Sequence, residues 1–281
     1  MTSIGEFLSY FSYRYVQYAL CVGVLVALCA SLLGVVLVLR RYSYLGDGLS
    51  HVAFGSMALA VVLNLTENLL LVMPVTIIVA IILLTGSENK KIQGDAALAM
   101  LSVGSLAVGY ILLNLFPSSS NIAADVCSSL FGSSSILTLG QSDVILCIVM
   151  SVIVLGTFVL CYNKIFALTF DPVFMRSAGG GAKTYNLIIA VLCAVVISLS
   201  MRLVGSLLVS ALVIFPAISA MSLGGGFRRV VCTSAVIGVL CAAVGMILSM
   251  LLGTPSGASI VVCDIIAFAV CKAFGKAKGR S

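Results

Sequence analysis

The sequence predicts an all-α polytopic membrane protein with about eight or nine transmembrane helices. Three observations carry that prediction. Hydrophobic residues make up 62% of the 281 residues, charged residues only 9%, and mean hydropathy is +1.26, whereas soluble domains are about a quarter charged. Long apolar runs are punctuated by short polar stretches that hold most of the lysines and arginines. No run alternates apolar and polar residues as a barrel strand does, so the spans are helices.

The net charge of +6 does not point to nucleic acid, because the basic residues are scattered between apolar runs instead of forming a stripe. They report topology. The ten cysteines show no CxxC spacing, so none reads as a zinc or redox pair. Nearly all lie within apolar runs, where a free cysteine behaves as a small hydrophobe; Cys127, in a polar stretch, is the exception.

In chain order, residues 1–14 carry Glu6, Arg14, Phe7, Tyr10, Phe11 and Tyr13, the composition of a segment lying at a membrane interface. The apolar run that follows is too long for a signal-peptide core, and its positive charge comes after it. The first span runs from about Tyr15 to Leu39, and Arg40 with Arg41 places its end inside the cell and the N-terminus outside. A second span begins near Gly46 and ends at the polar Asn64 to Asn68, which holds no Lys or Arg. A third, about Leu69 to Leu84, returns to Lys90 and Lys91 on the inside. The fourth, about Ala96 to Leu115, exits into the long polar stretch Pro117 to Gln141, which has no basic residue and reads as external.

The fifth span, about Val144 to Tyr162, delivers the chain to a mixed-charge segment, residues 163–184, holding Lys164, Asp171, Arg176 and Lys183. Within it DPVFMRSAGGG reads as a short helix, with Pro172 suited to a first turn after Asp171 and glycines 179 to 181 able to end it. From about Leu187 to Leu223 the chain is apolar except for Arg202, which predicts two spans broken near that residue. Two last spans, about Val230 to Leu252 and Ser259 to Phe274, flank an external GTPSG turn, and Lys272, Lys276, Lys278 and Arg280 keep the C-terminus in the cytoplasm. Gly23, Gly34, Gly104, Gly109, Gly205, Gly238 and Gly245 fall within spans, where small residues let helix backbones approach.

The chemistry concentrates in RRYSYLGDGLSH, Arg40 to His51, which contains the only histidine of the chain. Asp47 and His51, four residues apart on a helix, project from one face, so a carboxylate oxygen and an imidazole nitrogen can converge on one cation. That mixed donor pair suits zinc, manganese or iron(II). An ionisable group in or beside a span is costly and reads by default as an ion-pathway residue. Asp47 could also be a helix N-cap, accepting from the backbone near Ser50, and a lone histidine is ordinarily a satisfied packing residue. Two side chains cannot fill a four- or six-coordinate shell, so water, backbone carbonyls, another helix or a second copy must supply the rest. Protons compete with a metal for imidazole, which predicts that uptake falls below about pH 6.

Four stretches together resemble a known family, the membrane-spanning permease subunits of ATP-binding-cassette importers for zinc, manganese and iron. RRYSYLGDGLSHVAFG is similar to that family's RR-x-x-Y/L-x-GD-x-x-x-H stretch, and DPVFMRSAGG resembles its cytoplasmic segment that docks on the ATPase. MRLVGSLLVSALVIFPAISA is similar to its VG-x-LL helix with a PA pair, and GTPSGASIVV to its D-x-P-x-G turn. Gly253 stands where that last motif often has an acidic residue, and Ala99 where a glycine is expected. Asp264, a carboxylate in the final span, has no family role.

The resemblance implies one permease domain over residues 1–281, a homodimer in the cell membrane, two cytoplasmic ATP-binding subunits and an external metal-binding protein that hands over Zn2+, Mn2+ or Fe2+. It also places Asp47 and His51 on the metal path, and Asp171, Pro172, Phe174, Arg176 and Gly179 in the ATPase-docking segment, with no permanently bound cofactor. The chain has no G-x-x-x-x-G-K-[ST] loop, since GGGAKT lacks the glycine-lysine step, so a separate subunit must supply the energy. Two other readings stand beside this one. One is an ion-coupled carrier relaying protons through Asp47, His51 and Asp264. The other is an intramembrane hydrolase using a serine near Ser133 with His51, which would set nucleophile and base on opposite sides of the bilayer.

Overall fold

The structure is a computed structural model that describes residues 13–65, 69–86, 94–116 and 140–277. Among these residues every regular element is a helix. In chain order they are α1 (Arg14–Leu39), α2 (Leu45–Val62), α3 (Leu69–Gly86), α4 (Gly94–Leu115), α5 (Gln141–Leu160), α6 (Tyr162–Phe170), α7 (Pro172–Ser177), α8 (Ala182–Val204), α9 (Ser206–Ser222), α10 (Phe227–Leu252) and α11 (Ser256–Ala277). Seven helices are long and apolar enough to cross a membrane, and Leu71–Leu84 and Ser206–Ser222 are shorter apolar stretches, in keeping with the eight or nine spans the sequence predicts. Residues 1–12, and with them most of the expected interfacial segment, lie outside the described residues, as do the polar stretch 117–139 with Cys127 and Ser133.

α1 is the central helix, packed against α5, α8, α9 and α10, and most of its apolar stretch is buried. α2 is surrounded by α3, α4, α8 and α9, while α11 packs on α9 and α10. α4 and α11 bury the smallest part of their apolar stretches. With no solvent drive between helices inside a bilayer, close backbone approach has to supply the packing, and glycines permit it. A Cβ on Gly34 of α1 would collide with the Val213 carbonyl of α9, and one on Gly245 of α10 would meet the Ile260 backbone of α11 at 2.6 Å. Gly238, Gly23 and Gly109 also pack closely, on Ser31, Met246 and Phe54.

Two of the seven expected glycines behave otherwise. Gly104 faces open space, because α4 leaves much of its surface outside the bundle. Gly205, at φ 92 and ψ 155, is the break between α8 and α9, so the interruption falls three residues beyond Arg202. Gly55, which the sequence did not single out, takes a packing role: its Cβ would lie 2.8 Å from the Ser105 carbonyl of α4. Buried hydroxyls add interhelical bonds, Thr76 of α3 to Ser198 of α8 at 2.6 Å and Ser234 Oγ of α10 to the Ser31 carbonyl of α1 at 3.1 Å.

Candidate functional site

Local backbone chemistry fixes the turn from α1 to α2. The Arg41 N–H donates to the Val38 carbonyl and the Tyr42 N–H to the Leu37 carbonyl, the two bonds of a Schellman ending. Arg41 therefore takes the left-handed position at φ 63 that glycine usually fills, a conformation a non-glycine residue adopts at some cost. The chain then enters α2 directly, with the Leu45 N–H bonded to the Tyr42 carbonyl.

Asp47 lies in the first turn of α2, behind the N-cap Tyr44, so α2 starts too early for Asp47 to cap it. Its carboxylate turns sideways: Oδ1 lies 3.4 Å from Nε2 of His51, and Oδ2 accepts from Ser102 Oγ of α4 at 3.4 Å. Charge-assisted contacts normally close to 2.7–2.9 Å, so this cluster is loosely held. The Asp47 side chain is 44% exposed and that of His51 18%. Nδ1 of His51 is buried and without a hydrogen-bond partner among the described residues. The glycines on either side are buried and let neighbouring helices close on the pair, for Gly46 faces Val213 of α9 and a Cβ on Gly48 would press Leu98 of α4 at 3.2 Å.

On the α1 side of the same turn sits a different cluster. Arg40 Nη1 donates to Asn186 Oδ1 of α8 at 2.7 Å, and Asn186 Nδ2 donates to the Leu84 carbonyl of α3 at 2.7 Å. The ends of α1, α3 and α8 are thus tied by one buried amide. Burial pushes the Arg40 guanidinium below its usual pKa.

The segment DPVFMRSAGGG has the start and stop its sequence predicts. Asp171 Oδ1 accepts from the Phe174 N–H at 2.8 Å, Pro172 opens α7, and Gly179 and Gly181 take φ 68 and 70. Phe174 is 65% exposed and Val173 is exposed beside it; Arg176 is exposed as well. Met175, between them, is buried in the core, because a one-and-a-half-turn helix must anchor one side chain. The preceding helix α6 was not anticipated. Its Phe166 and Phe170 pack on Phe227 of α10 at 5.4 and 5.9 Å, so an aromatic cluster carries α7. The repeat of aromatics at 162, 166 and 170 is the signal that would have revealed it.

Other expected residues fall elsewhere. Asp264 is 1% exposed on α11, and neither oxygen has a hydrogen-bond partner among the described residues. α11 packs on α9 and α10, and among the described residues no group of three His, Cys, Asp or Glu could hold a metal. Gly253 ends α10 in the left-handed region at φ 65, which accounts for a glycine where an acidic residue was expected. The nine described cysteines are free. Ser102 was missed at the site, since a serine 55 residues away in another apolar run carries no mark in the sequence.

The sequence matches the ABC 3 transport family (ABC-3) over residues 12–275. The chain belongs to that family. Among family relatives, it is 29% identical to the "High-affinity zinc uptake system membrane protein ZnuB" of Haemophilus influenzae, over 89% of this chain and 94% of that protein. It is 26% identical to the "Manganese transport system membrane protein MntC" of Halalkalibacterium halodurans, over 95% and 90%. The fold is that of a chain in the solved structure "PsaBC from Streptococcus pneumoniae in complex with Fab", with TM-score 0.83 and 24% identity, covering 98% of this chain and all of that one. The family member described here is a multi-pass protein of the cell membrane.

Proposed function

We infer that this chain is the permease subunit of an ATP-binding-cassette importer that moves a divalent transition-metal ion, zinc or manganese, with iron(II) a further candidate, across the cell membrane. The observation that carries the reading is the Asp47–His51 pair, 3.4 Å apart and partly open. Oxygen and nitrogen donors held loosely, and incomplete as a ligand shell, suit an ion that must be accepted and then released. Water, backbone carbonyls or a second copy of the chain complete the coordination. Residues 1–281 form one permease domain, with the N-terminus outside and the C-terminus in the cytoplasm, as the distribution of lysine and arginine favours.

Two copies of the permease work with two cytoplasmic ATP-binding subunits and an external metal-binding protein. Asp171, Pro172 and Gly179 shape α7, and exposed Phe174 with Arg176 forms the surface that meets the ATPase. Replacing Phe174 and Arg176 with alanine leaves the dimer intact and removes metal stimulation of ATP hydrolysis, read in proteoliposomes holding the assembled transporter. Normal coupling in that double variant contradicts the assignment. The ion-coupled carrier needs Asp264 in a relay with Asp47 and His51, whereas α11 packs mainly on α9 and α10. Uptake that requires ATP and not an ion gradient separates the two readings.

A further inference from the structure

A cavity of about 490 Å³ opens on the flank of the bundle where α1, α5, α6 and α10 meet. Its wall is apolar, from Leu32 of α1, Val159 and Leu160 of α5, and Val231 of α10; its rim is polar, from Tyr162, Asn163 and Arg228. The chain builds it by ending α5 at Leu160 and starting α6 at Tyr162, with Cys161 alone between them, while Tyr162 is held against Phe227 at 5.6 Å.

Val159 is 71% exposed and Leu160 87%, an apolar surface that in a spanning helix must be covered by lipid or by protein. Among the described residues no carboxylate lines the cavity, while Arg228 lines it and Lys164 and Arg229 are exposed close by in sequence. These basic residues place the rim at headgroup level on the cytoplasmic side, where anionic lipids gather. The polar donors at the mouth are a guanidinium, a phenol hydroxyl and an amide, the set that satisfies a phosphate. An amphipathic groove with one positive end thus matches a phospholipid in both shape and charge.

We propose that this groove binds an anionic phospholipid of the inner leaflet, its acyl chain against Leu32, Val159, Leu160 and Val231 and its phosphate on Arg228. The inference goes beyond metal transport and is tested by binding alone. The full chain, purified in detergent and stripped of lipid, is titrated with phosphatidylglycerol and phosphatidylcholine together, and the bound lipid is read by native mass spectrometry. Wild-type protein retains phosphatidylglycerol with about fivefold preference, the factor one basic residue supplies at a membrane surface. Arg228→Gln loses that preference and Arg228→Lys keeps most of it. Leu160→Trp, which fills the apolar part, lowers retention of both lipids. A preference unchanged in Arg228→Gln, or wild-type retention in Leu160→Trp, overturns the site. So does a disulfide joining two chains through Leu160→Cys in native membranes, which would show that a second copy covers the groove.

Discussion

Two polar clusters flank one turn of the chain and differ in every physical respect. On the α1 side, Arg40, Asn186 and the Leu84 carbonyl are joined by 2.7 Å hydrogen bonds around a buried amide. On the α2 side, Asp47, His51 and Ser102 meet at 3.4 Å, with Asp47 partly open and one imidazole nitrogen unpartnered among the described residues. Short bonds are what a buried polar group needs to repay its desolvation. Long contacts with spare lone pairs leave room for a ligand from outside. The difference gives the first cluster a structural role and supports the cargo role proposed for the second, although only a few residues separate Arg40 from Asp47 in sequence.

That division can be broken by substitution. The largest effect falls on transport: replacing Asp47 and His51 with alanine lowers metal uptake at least about 100-fold, beyond the 10–100-fold typical of groups that only support a ligand. The thermal unfolding midpoint in detergent stays near wild type, because 3.4 Å contacts of a part-exposed pair add little stability. A smaller effect, on the other axis, is expected at the tight cluster. Asn186→Leu leaves the half-buried guanidinium without its acceptor and the Leu84 carbonyl without its donor, at a cost of about 3 kcal/mol. The measured midpoint drops, whereas metal binding by the protein that remains folded is unchanged. Smallest is Ser102→Ala, which removes one 3.4 Å contact to Asp47 and weakens uptake by about tenfold, the lower end for a supporting group. If Ser102→Ala lowered the midpoint more than Asn186→Leu, the two clusters would have been assigned the wrong way round.

The sequence disclosed those parts of the molecule whose cause is local. Apolar run length sets the spans, so α1, α4, α5, α10 and α11 lie close to where hydropathy places them. Asp171, Pro172 and the glycines after them act within a few residues of one another, and α7 begins and ends as they require. The Asp47–His51 pair was legible because one helical turn brings i and i+4 together. What escaped depends on distant partners. Ser102 and Asn186 look like any polar residue in an apolar run until α4 and α8 pack against the turn. Met175 reads as surface until its helix proves too short to float free of the core. The helix break belongs to Gly205, which can hold φ 92 where Arg202 cannot without strain.

The central claim is that the imidazole of His51 and the carboxylate of Asp47 share the cargo ion. His51 is the only histidine in the chain, so a coordinated imidazole has a single source in tag-free protein. Pulsed electron paramagnetic resonance of Mn2+ bound to the purified permease measures it directly. Wild-type protein is expected to show nuclear modulation from one directly bound imidazole nitrogen, and His51→Ala to lose it. Bound manganese with no nitrogen coupling in the wild type, or with the same coupling in His51→Ala, would contradict it.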